Sequence, residues 1–316
     1  MNTKYVIAAV VIIAIIVSAA FIYVYYSGQT AQQLESLHNL VDDTGYSTSL
    51  DAVPNRIISL APSTTEIVFA LGLDDKVVAV SDACDYPYNF SAWVAAGNMT
   101  SISFSEPNVE AIVDLEADLI IATGGVQAEA VDTLRNLGQK VLVLDPPDID
   151  GVLKDIELVG NATGKIAEAE TLVANLASRI DTVANKVANA SSTPTVYYEV
   201  WYDPIYTAGA KAWQNALFAK AGGVNVFDDQ DFDYFQTSDE AVIERNPDVI
   251  VLPKEGMGTQ FWGSIDDVKA RPGWSSISAV QNDRIYQVDS NTIARAGPRI
   301  ADIIEDLAEA FHPELF

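Results

Sequence analysis

The amino-acid sequence predicts an α/β protein of two lobes joined by one long helix, preceded by a single transmembrane helix. Three observations predict it. Short apolar runs alternate with amphipathic stretches in both halves of the chain, as strands and helices do in a parallel sheet covered on both faces. A segment free of glycine and proline, residues 165–190, separates the halves. One helix–strand unit occurs twice, at 110–121 and again at 240–251.

The elements follow in chain order. Tyr5 to Tyr26 carries no charge, and about 20 apolar residues suffice to span a bilayer. A cleaved signal has a shorter apolar core, so residues 1–27 are expected to remain as an anchor. Tyr23, Tyr25 and Tyr26 mark its outer end. Lys4 precedes the run and no Lys or Arg follows it until Arg56, which puts the N-terminus inside and the rest outside. Four sequons, at Asn89, Asn98, Asn161 and Asn189, agree with an external location. Residues 28–53 are polar and read as a linker.

An N-terminal lobe is expected over 54–147. Strands are expected at 56–60, 77–80, 118–122 and 140–144, with helices at 63–71, 110–115 and 127–137 between them. Ser63 and Glu66 have capping-box spacing. Residues 148–192 connect the lobes. A helix at 152–159 breaks at Gly160 to Gly164, and a second, over 165–190, presents Leu172, Leu176, Ile180, Val183 and Val187 on one face. The C-terminal lobe, 193–316, repeats the alternation. Strands are expected at 195–200, 248–252 and 284–288, and helices at 213–221, 239–245 and 299–311.

In the repeated unit Glu110 matches Glu240 and Asp118 matches Asp248. Two lobes that share such a unit are expected to obey approximate two-fold symmetry, with the glutamates at equivalent places. Both also fit the simpler description of first-turn acids favoured by the helix dipole.

Composition removes several chemistries. The net charge is −26, which repels nucleic acid and anionic lipid headgroups. A single cysteine, Cys84, allows no disulfide within the chain. With it and two histidines, His38 and His312, no zinc or iron site of the His/Cys type can be assembled. Cys84 is expected to be a small buried residue. Gly160 to Lys165 has three residues between its glycines where a phosphate loop has four, and Ile166 replaces its Ser or Thr. No enzymatic activity is expected.

Four stretches carry a family likeness: 56–72 (RIISLAPSTTEIVFALG), Asp85-Tyr86-Pro87, the two glutamate units, and Arg295-Ala-Gly-Pro-Arg299. With them, residues 52–316 resemble the substrate-binding proteins of vitamin B12, haem and ferric-siderophore ABC importers. The resemblance implies two Rossmann-like lobes on a rigid helix, with a ligand in the cleft between them. It implies that Glu110 and Glu240 dock on a permease dimer driven by a cytoplasmic ATPase. Cleft-lining places of the family carry Phe104, Trp201, Tyr202, Tyr206, Tyr234 and Phe235 here, with Trp262 as a possible lid. Some of these aromatics are equally suited to a core. Arg295 falls where siderophore-binding members place a ligand arginine, and it also fits a surface arginine beside the last helix. Arg299 is expected to brace that helix. Ala83 and Thr123 replace an aromatic pair of corrinoid-binding members. The implied ligand is a chelated metal compound, a corrinoid first, then a ferric siderophore or haem. No resident cofactor or protein-bound metal is implied. From another class, a membrane-anchored receptor or adhesion module remains open.

Overall fold

The computed structural model describes residues 37, 39–254 and 264–316. The expected membrane helix, the linker up to residue 36, His38 and Trp262 lie outside the described residues. Among those described, no helix is long and apolar enough to cross a membrane.

Among the described residues the first elements are a hairpin, β1 (Leu40–Val41) and β2 (Ser47–Thr48), then β3 (Ile57–Ser59), α1 (Pro62–Ala70), β4 (Val77–Ser81), α2 (Phe90–Ala95), β5 (Thr100–Ile102), α3 (Val109–Asp114), β6 (Leu119–Ala122), α4 (Ala128–Asn136) and β7 (Val141–Val143). Strands β5-β4-β3-β6-β7 form one parallel sheet. Two helices follow, α5 (Ile149–Thr163) and α6 (Ile166–Val187). The second sheet is built from β8 (Thr195–Trp201), β9 (Tyr206–Ala208), α7 (Gln214–Lys220), β10 (Val224–Asn225), β11 (Tyr234–Gln236), α8 (Asp239–Arg245) and β12 (Val249–Pro253). After α9 (Ile265–Lys269) and α10 (Ser278–Gln281), β13 (Ile285–Val288), α11 (Ser290–Ala294) and α12 (Ile300–Phe311) close the chain.

In the second sheet β10, β8, β12 and β13 are parallel, while β9 and β11 are antiparallel additions to one edge. The sequence alternation does not predict that edge. Residues 202–205 alone join β8 to β9, which is too short for a crossover and permits only an antiparallel return.

Helix α6 is shorter than the expected 165–190 but, at 1.5 Å per residue, still about 33 Å long. It buries Leu176, Ile180, Val183 and Val187 and leaves Leu172 half-buried. Its partners are α5 and α12. Arg179 on α6 also bonds Glu305 at 2.9 Å and Asp302 at 2.6 Å on α12. One core cluster thus runs from Ile57 and Leu119 in the first sheet, through α5 and α6, to Val196 and Val249 in the second.

Three local expectations are corrected. Gly160 does not break α5, which runs to Thr163 and ends at Gly164 with φ +71°. A Cβ on Gly160 would lie 2.4 Å from that of Ala169, so glycine lets α5 and α6 approach. Ser63 and Glu66 form no capping box. Ala61 is the N-cap of α1, Thr64 Oγ1 accepts from Ala61 N at 3.3 Å, and Glu66 turns away. The expected linker is folded from residue 39. Leu37, Leu40 and Leu50 are buried in the core, and Thr48 donates to the Val141 carbonyl at 3.1 Å.

Candidate functional site

The carboxyl ends of strands in both sheets meet along one seam, where open α/β sheets take their ligands. Asp85, beyond β4, accepts from Arg295 Nη1 at 2.6 Å and from Asn291 Nδ2 at 2.8 Å, both beyond β13. Glu66 on α1 accepts from Arg295 Nη1 at 3.1 Å, Arg299 Nε at 2.9 Å and Arg299 Nη2 at 2.7 Å. Glu66 is buried, so the two guanidinium groups offset the cost of taking its charge out of water. Arg299 also sits 4.2 Å above the centre of the Tyr86 ring. The family resemblance implies a ligand role for Arg295, a surface position beside the last helix being the alternative, and a bracing role is expected for Arg299. The structure makes both members of a clasp between the lobes. For Arg295 to meet an anionic ligand, that ligand must share it with Glu66 or displace the exposed Asp85.

On the N-terminal side, Phe104 is half-buried in the loop after β5. Its N–H donates to Asp82 at 2.9 Å, and its carbonyl accepts from Gln127 Nε2 at 3.0 Å. Gln127 is fully buried, and it also bonds Leu60 O and Thr123 N. One amide therefore fixes the ends of β3, β5 and β6. Tyr86 and Tyr88, 45% and 43% exposed, offer aromatic surface that the sequence reading passed over. Tyr88 stacks on Trp93 with centroids 5.1 Å apart. The Asp85-Tyr86-Pro87 motif was the available signal. Cys84 lies just beneath, buried beside Thr65 at 3.2 Å, and burial pushes its thiol up to about 11. It stays protonated near neutrality and is a poor metal ligand in that form.

On the C-terminal side the strand pairing sorts the expected aromatics. Opposed residues of an antiparallel pair share a face. Tyr206 opposes Gln236, and Tyr234 opposes Ala208, so Tyr206 and Tyr234 stand on one face. Both are exposed, and the Tyr234 hydroxyl donates to buried Gln214 at 2.9 Å. Trp201 opposes Tyr206 past a bulge and is half-buried. Phe235 points the other way, opposite Thr207, and its ring meets Phe227 edge-on at 5.5 Å. Tyr202 packs on the same core, with the Arg271 guanidinium 3.9 Å above its ring. The structure therefore packs Trp201, Tyr202 and Phe235 partly against the core of the C-terminal lobe and leaves Tyr206 and Tyr234 exposed.

Arg271 belongs to a buried network that the sequence did not reveal. It bonds Glu199 twice, at 2.6 and 2.9 Å, and Tyr197 donates to the same carboxylate at 3.0 Å. Burial works against the Arg271 charge, but the Glu199 carboxylate more than offsets it and holds the guanidinium above its usual range. The network props the β8–β9 turn that carries Trp201 and Tyr202.

Away from the seam, Glu110 and Glu240 occupy the second positions of α3 and α8, and both are exposed. Asn108 caps α3 by accepting from Ala111 N, and Ser238 caps α8 by accepting from Ala241 N. Asp118 accepts from Arg56 N at 2.9 Å, and Asp248 from Thr195 N at 2.9 Å, each at the start of the neighbouring strand. The two units are thus alike down to their caps. His312 is buried, with Nε2 3.0 Å from the Gly222 carbonyl, and serves to seat the end of α12.

Comparison with known proteins gives a consistent result. A family model described as "Periplasmic binding protein" matches residues 57–292. The chain is 34% identical over 293 residues to the uncharacterized ABC transporter substrate-binding lipoprotein YvrC of Bacillus subtilis, covering 90% of this chain and 89% of that protein. It is 31% identical over 255 residues to a vitamin B12-binding protein of Vibrio cholerae, covering 80% and 87%. Among solved structures, the periplasmic heme-binding protein RhuT from Roseiflexus sp. RS-1 superposes with a TM-score of 0.70 at 27% identity, over 83% of this chain and 99% of that one.

Proposed function

Given that the chain belongs to the periplasmic binding protein family, as a substrate-binding protein of ABC importers, we propose that it captures a corrinoid outside the cell and delivers it to a permease dimer. The observation that carries the delivery half is the equivalence of Glu110 and Glu240, two exposed carboxylates on like-capped helices of the two lobes. One exposed ion pair contributes only ~0–1 kcal/mol. Two at a fixed spacing define an orientation, and the second forms at high effective concentration. ATP hydrolysis on the inner face supplies the energy, and this chain makes and breaks no covalent bonds.

The ligand half rests on the likeness to vitamin B12-binding proteins and on the exposed tyrosine face. Tyr206 and Tyr234 stand beside Trp201, and Tyr86, with Arg299 over its ring, borders the seam from the other lobe. Flat apolar plates with a few polar groups suit a bulky macrocycle. The likeness to a heme-binding protein supports haem as the second reading. Tyr5 to Tyr26 holds the protein at the outer face of the membrane. YvrC is named as a lipoprotein, whereas the single cysteine of this chain is Cys84, buried in the N-terminal lobe.

Calorimetric titration with cyanocobalamin tests the reading. A one-to-one isotherm in the sub-micromolar range is expected, weakened about tenfold or more by Tyr234→Ala with folding intact. The absence of heat from folded protein removes the corrinoid, and titration with haemin then tests the second reading.

A further inference from the structure

We propose, resting on the reading of the seam as the ligand site, that Asp85 sets the charge of the ligand. Its carboxylate already occupies Arg295, so the seam favours a chelate whose rim ends in neutral amides over one that carries free carboxylates.

Arg295 closes the seam with one nitrogen. Its Nη1 donates to Asp85 Oδ1 at 2.6 Å and to Glu66 Oε1 at 3.1 Å. The two acceptors differ in kind, because the Glu66 side chain is 2% exposed and that of Asp85 53%. Glu66 is a buried partner, and Arg299 holds both of its oxygens, with Nη2 on Oε1 at 2.7 Å and Nε on Oε2 at 2.9 Å. Asp85 meets Arg295 from the open side. Asn291 Nδ2 donates to its other oxygen at 2.8 Å. One guanidinium and one amide of the C-terminal lobe thus grip both oxygens of Asp85, as they would grip a carboxylate carried by a ligand.

Arg299 leaves no positive charge over. Its Nη1 donates to Thr292 Oγ1 at 2.9 Å and lies 3.9 Å from Asp289 Oδ1. Three carboxylates, Glu66, Asp85 and Asp289, therefore face two guanidinium groups, with one negative charge in excess. Arg271, beneath the turn that carries Tyr202, is likewise committed to Glu199. A ligand carboxylate that reaches Arg295 must first displace Asp85. The exchange puts one carboxylate in the place of another and leaves the displaced charge beside it, and like charges set together in a cleft oppose binding. A neutral amide meets no such cost. Its N–H can donate to the exposed edge of Asp85, and the pair with Arg295 stays in place. Discrimination is a difference of affinities, and a charge set against the wrong ligand supplies it as well as a contact with the right one does.

Calorimetric titration of the purified full-length chain and its Asp85→Asn variant tests the charge selection. The two probes are cyanocobalamin, whose side chains end in amides, and haemin, which carries two propionates. The parent is expected to bind cyanocobalamin about tenfold or more tightly than haemin. In Asp85→Asn the ratio of haemin to cyanocobalamin affinity should rise about tenfold, and Asp85→Glu should restore the parent ratio. Asp85→Ala serves the same comparison if Asp85→Asn does not fold. An unchanged ratio in the folded variants, or a parent that prefers haemin, would overturn the selection and leave the ligand site standing. A variant that gains haemin where the parent binds neither probe would support the selection and remove the corrinoid. Silence from both probes in parent and variant alike would remove the corrinoid and haem readings, and the charge selection with them.

Discussion

At the scale of single residues, the site depends on charges that have left water only in company. Glu199, Arg271 and Tyr197 form such a group beneath the turn that carries Trp201. Arg271→Met leaves a fully buried carboxylate with one phenolic donor. Removing one partner of a buried pair costs about 3–5 kcal/mol. Chemical denaturation should show a loss of that size for Arg271→Met. Arg271→Met combined with Glu199→Leu should recover much of it, and additive losses would show that the two do not act as a pair. None of this was legible in the sequence. Glu199 occupies a strand position that expectation fills with an apolar residue, and Arg271 lies outside every expected element. The exposed tyrosines were partly legible. Alternation along β11 separates Tyr234 from Phe235, but only the pairing with β9 says which faces the core.

At the scale of elements, close packing and equivalence make the predictions. Gly160 lies where α5 meets α6. Gly160→Ala has a favourable helix propensity, yet the added methyl forces the two helices apart. Overpacking costs about 1–3 kcal/mol, so the substitution should lower the thermal midpoint although an exposed helix would gain from it. The capped helices α3 and α8 predict a different outcome. Glu110→Ala with Glu240→Ala should leave folding and ligand affinity unchanged and reduce uptake by tenfold or more in cells. Normal uptake at normal expression would remove the docking role. These helices were legible because a glutamate, an apolar stretch, an aspartate and a strand follow at the same spacing twice, whereas the caps Asn108 and Ser238 emerged only in the structure. The helix break misplaced at Gly160 was not, because a glycine reads as a breaker until the neighbouring helix that requires it is known.

At the scale of the whole molecule, Glu66, Asp85, Asn291, Arg295 and Arg299 fasten one lobe to the other. Glu66→Ala leaves two guanidinium groups short of their buried partner, for a loss of about 3–5 kcal/mol. Amide exchange should quicken in α1 and α11, which face the seam, while β6 and β12 stay protected. Uniform loss of protection in both sheets would mean that Glu66 holds up its own lobe and not the seam. The sequence by itself determined the strand–helix alternation, the two-fold repeat, the long connecting helix and the shortage of thiol and imidazole. These depend on local periodicity, capping and residue type, which are properties of neighbours along the chain. Only the tertiary structure decided that Arg295 is already paired, that Phe235 and Tyr202 pack inward, and that residues 39–50 belong to the N-terminal lobe. Each of these is set by residues distant in sequence. Whether a charge is answered or a ring is open depends on what folding brings to it.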